Sequence, residues 1–177
     1  MADMTPTTPA GANEALQDAA HFTHTPISTL FSRLLGAMAH HIECERDIEH
    51  VDVFDPAFNG WLKDAEEAAT VVTTLISKIR QCRIQRRADV PLMRLTFIAD
   101  TMLGANAPDV FLEAHGLLSH PHLFALRENG AVAYRVTAMI KTAKTCLNLL
   151  AELETDEPVG DVDALSDDLS LGLDLAA

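Results

Sequence analysis

An all-α, single-domain helical bundle of about five helices is the fold that this sequence predicts. Three observations lead there. Apolar residues recur at three- and four-residue spacing through most of residues 27–154. Aromatic residues make up only 5% of the chain against an apolar share of 48%, so the core is aliphatic and suits helix packing better than a sheet. Proline, glycine and aspartate punctuate the apolar stripes where helices start and stop. The chain has 177 residues, the length of one domain with flanking segments. Residues 1–25 read as a disordered N-terminal segment, 26–154 as the bundle, and 155–177 as an acidic, leucine-containing tail.

The first helix is expected over 27–50. Thr25-Pro26 is a cap followed by a proline in the first turn. Ile27, Phe31, Leu34, Met38 and Ile42 then form one stripe, which turns polar from His40 onward. The second is expected over 56–87, with Asp55 as N-cap and Pro56 at the first helical position. Leu62, Ala65, Val72, Ile76 and Ile79 carry its stripe, with acids early and bases late as the helix dipole favours. At 1.5 Å per residue that helix is about 48 Å long, so shorter helices must pack along it.

Ala88-Asp89-Val90-Pro91 restarts the chain for a third helix over 91–104, which ends at Gly104. Ala107-Pro108-Asp109 opens a fourth over 109–118, and the last is expected over 131–154. Residues 123–136 allow an alternative, a small β-hairpin, because Asn129-Gly130 is a strong two-residue hairpin signal. The helical repeat of Val132, Val136, Met139, Ala143 and Cys146 favours a helix there.

Three cysteines without a CxxC pair do not form a disulfide framework. The N-terminus lacks the basic and apolar regions of a secretory signal, and residues 68–77 are too short an apolar run to cross a bilayer. A reducing cytoplasm is the expected compartment. The net charge of −13 is uneven. Residues 23–154 hold all 13 bases against 16 acids, whereas residues 155–177 hold seven acids and no base. A near-neutral core argues against a nucleic-acid or anionic-membrane surface as its main purpose.

Four stretches bear on chemistry. In the first, His40 and Cys44 are neighbours on one helix face, as are His41 and Glu45. These are competent metal ligands, and His41 and Glu45 project toward the stripe of Leu34 and Met38. A metal ion is therefore the one cofactor the sequence suggests. No Glu-x-x-His on a second helix completes a di-metal set, and a helix end emerging into solvent explains the same residues. The second stretch, Ser119-His120-Pro121-His122, comes with no nucleophile elbow and reads as a surface turn.

The third is the basic run holding Arg80, Arg83, Arg86 and Arg87, which could touch phosphate from one helical face. The following two helices could then act as a helix-turn-helix, but residues 109–115 are acidic and apolar where phosphate contacts need donors. The fourth is the tail. Leu165, Leu169 and Leu173 would line one face of an acidic amphipathic helix that folds in a groove. The expected function is a non-enzymatic interaction or regulatory protein with a protein partner or a second copy. A metal-binding bundle and a nucleic-acid-binding regulator are the alternatives.

Overall fold

The computed structural model describes residues 24–156, except His50, Val53 and Glu128. Five α-helices run in order: α1 (Pro26–Glu49), α2 (Phe58–Arg80), α3 (Asp89–Leu103), α4 (Pro108–Gly116) and α5 (Ala131–Asp156). Two 3₁₀ turns, Leu117–Ser119 and Pro121–Leu123, join α4 to the approach of α5. No strand occurs among the described residues. The bundle is all-α.

α1 starts where its cap predicts. The Thr25 hydroxyl accepts the Ser28 backbone N–H at 3.1 Å, and Ser28 Oγ donates to the Thr25 carbonyl at 3.0 Å. Thr25 is buried, so the bundle takes in one residue more at this end than the expected 26–154. The predicted stripe of Ile27, Phe31, Leu34, Met38 and Ile42 is buried along the whole helix. It packs mainly on α2, and also on α3 and α5.

α2 is shorter than expected at both ends, with 23 residues and a length of about 34 Å. At its start the Asp55 carboxylate accepts the Ala57 N–H at 2.8 Å and the Asp55 carbonyl accepts the Phe58 N–H at 3.0 Å. Those bonds close a turn ahead of the helix, so Asp55 and Pro56 stand outside it. At its end the cause is Asp89. One oxygen of this carboxylate accepts the N–H groups of Gln85 and Arg86, each at 3.0 Å. The other accepts the Thr25 hydroxyl at 2.6 Å. Continuing the helix to Arg87 would commit those N–H groups to the helix ladder and strip one oxygen of the 2% exposed carboxylate of both its donors.

The centre of the bundle is therefore α3, not α2. α3 packs against all four other helices. Leu92, Met93, Leu95, Thr96, Ile98, Ala99 and Met102 are buried over more than half of its circumference, as expected of a helix enclosed by others. The hairpin alternative for 123–136 does not form. Residues 121–123 are a 3₁₀ turn, Phe124 is buried, and α5 starts at Ala131. Gly130 has φ +124°, a conformation that side-chain-bearing residues rarely adopt. The Asn-Gly pair thus turns the chain into a helix instead of joining two strands. No described helix is long and apolar enough to cross a membrane.

Candidate functional site

The four residues of the metal reading fall into two pairs. His41 is 6% exposed and points inward, as its spacing predicts. Its Nδ1 lies 3.5 Å from Glu45 Oε1 and has no hydrogen-bond partner. Burial lowers the His41 pKa, the Glu45 carboxylate opposes that, and neighbouring His40 adds to the lowering. His40 and Cys44 face a different space. Cys44 Sγ lies 3.8 Å from His40 Nδ1, and both line an open cleft of about 460 Å³ between α1 and α2. Asp47, Trp61, Asp64 and Glu67 also line it, whereas His41 does not.

Burial raises the Cys44 pKa, and the acids Asp64, Asp47, Glu43 and Glu45 raise it further. The thiol is held protonated, which disfavours both metal ligation and nucleophilic attack. Among the described residues no group of three or more His, Cys, Asp or Glu side chains could hold a metal ion. Each pair supplies two ligands at most.

The Ser119–His122 turn is exposed on the bundle's surface. Ser119 Oγ donates to the Gly116 carbonyl at 2.7 Å, and the His120 and His122 rings sit 5.5 Å apart. The serine proton is committed to backbone, so the arrangement offers no activated hydroxyl. His115 and Lys144 tie α4 and its following turn to α5. His115 Nε2 meets Asn148 Oδ1 at 3.0 Å, and Lys144 Nζ donates to the Leu118 carbonyl at 2.6 Å.

The single basic face also dissolves. Arg80, at the end of α2, pairs with Asp100 and lies over the Phe97 ring at 5.3 Å. Arg83, Arg86 and Arg87 follow in the non-helical connection to α3. The would-be recognition helix α4 turns Val110 and Leu112 toward solvent. Leu165, Leu169 and Leu173 of the tail lie outside the described residues, as does most of the 1–25 segment.

Two surfaces emerge that sequence reasoning missed. One is an apolar groove of about 210 Å³ between α3 and α4, lined by Phe97, Ile98, Val110, Ala114 and Leu117 among others. Phe97 is 47% exposed and Leu117 is 39% exposed there. The other is a cleft of about 430 Å³ beside the first turns of α3. Arg87, Arg94, Arg127 and His122 line it over an apolar floor that includes Pro91 and Leu126. Arg94 is fixed by donating to the Leu123 carbonyl at 2.7 Å. The apolar spacing of 110–118 would place Val110 and Leu117 in the core with Phe111 and Ala114, but both stay exposed at the groove, Val110 on α4 and Leu117 in the turn after it. The cleft had no sequence signal, since its arginines are far apart in the chain. No known family, no characterised protein and no solved structure matches this sequence.

Proposed function

We propose that this chain is a non-enzymatic protein-interaction or regulatory protein, and that a second copy binds across its α3–α4 face. The observation that carries this reading is the apolar groove itself. Its floor, Ile98 and Ala114, is buried, but Phe97, Val110 and Leu117 stay partly open to water. Val110 and Phe97 form its rim, 43% and 47% exposed. An exposed apolar rim around a shallow recess can pack on its own copy about a two-fold axis, the commonest symmetry of soluble assemblies. Three free cysteines suit a reducing cytoplasm as the place of action.

Sedimentation equilibrium of the full chain tests this. The expected result is a dimer that Val110→Asp or Phe97→Asp converts to monomer, with thermal stability little changed because both positions are exposed. A wild-type chain that stays monomeric at high concentration, or variants that still dimerise, would overturn it. A second reading, metal binding, rests on the unpartnered Nδ1 of buried His41. Elemental analysis of chain purified without chelator tests that one, and a metal content near zero after zinc or iron is added rejects it.

A further inference from the structure

The arginine-lined cleft needs an occupant of opposite charge, and this chain carries one. We propose that residues 161–175 dock in that cleft on the same molecule, a contact that goes beyond the dimer reading and stands independently of it. Its aspartates would meet Arg87, Arg94 and Arg127, and its leucines the floor around Pro91 and Leu126.

Charge selects the site among the three recesses. Among the described residues no carboxylate lines the arginine cleft. The α1–α2 cleft contains Asp47, Asp64 and Glu67, and the α3–α4 groove contains Glu113. Residues 155–177 carry seven acids and no base, so both of the latter repel them. The apolar pattern matches as well. Leu165, Leu169 and Leu173 repeat every four residues, and carboxylates at 161, 163, 167 and 168 flank them. Guanidinium forks pair with carboxylates better than any other cation does.

Reach allows it. Lys144 Nζ sits 4.3 Å from the centre of the Phe124 ring, which places the 122–127 segment against the middle of α5. Leu123 and Ala125, on either side of Phe124, line the cleft. From Lys144 to the end of α5 at Asp156 is about 18 Å of helix. An eight-residue connection, 157–164, spans about 16 Å as a flexible chain and about 27 Å when extended. The extended length exceeds the distance back along α5, so Leu165 and the residues after it can approach the cleft. Pro158 and Gly160 lie in that connection, where a continued helix would point the segment away.

Hydrogen exchange of the full chain at low ionic strength tests this. Amides of residues 161–175 should exchange about fivefold or more slowly than in an unstructured peptide, and salt should abolish the difference. Arg87→Glu with Arg127→Glu should remove the protection. Asp167→Lys with Asp168→Lys should remove it too, in a segment whose change cannot unfold the core. Combining both pairs should restore it. The protection should survive in the Val110→Asp variant, so failure of the dimer reading leaves this result standing. Unprotected amides in the wild type, protection indifferent to the arginine changes, or protection lost with Val110→Asp would each overturn the proposal.

Discussion

The two halves of the α1–α2 pair are built differently, although the same two helices run through both. Near the α2 C-terminus, Val72, Leu75, Ile76 and Ile79 are buried, and the Asp89 carboxylate joins Thr25 to the loop beyond that helix. Near the α2 N-terminus only Ala65 and Ala68 are buried, in a small cluster with Cys44, while Trp61 and Leu62 are each 37% exposed. One half is closed by large aliphatic side chains and a fully bonded acid. The other is closed by methyl groups and opens into a cleft. Burial of larger side chains gives more dispersion contact and more area removed from water, so cohesion falls along the pair.

The largest expected effect lies at the closed half. Asp89→Ala strands the Thr25 hydroxyl and the Gln85 and Arg86 N–H groups together. It should cost about 3–5 kcal/mol in urea unfolding. A loss under about 1 kcal/mol would show that water replaces the carboxylate readily. Truncation then compares the two halves directly. Ile76→Ala should cost about 3 kcal/mol and Trp61→Ala about 1 kcal/mol, measured by the same unfolding. Equal losses would erase the contrast.

The smallest effect is a titration on α1. The folded His41 pKa is below its ordinary value of 6.5, so below that pH the unfolded chain binds a proton that the folded chain resists. Stability should therefore fall as the pH drops from about 6.5 toward the lowered folded value. His41→Leu should flatten this part of the stability–pH curve, with both curves taken by thermal melting. A slope unchanged in His41→Leu would assign the titration to another group.

Much of the bundle was legible because helical spacing is a local signal. The stripes of α1 and α5 and the proline starts of α1 and α4 could be read directly. The inward direction of His41 followed from its place relative to Leu34 and Met38. Contacts between distant residues escaped. Nothing near Arg80 marks the end of α2, since Ile79 and Cys82 continue its period. The competing acceptor is Asp89, whose partner Thr25 is 64 residues away. The arginine cleft was hidden for the same reason, because Arg87, Arg94 and Arg127 meet only after α3 and the 122–127 segment are placed. Asn129-Gly130 misled differently. A left-handed glycine serves a hairpin and a helix entry equally, so the dipeptide marks a turn without specifying the element after it.

Asp89 also works as a hinge pin. It grips Thr25 with one oxygen and, with the other, the residue immediately before Arg87. A pull on the chain ahead of Thr25 would be transmitted through this one carboxylate to the mouth of the arginine cleft. Two segments 64 residues apart in sequence are thereby coupled through one buried acceptor.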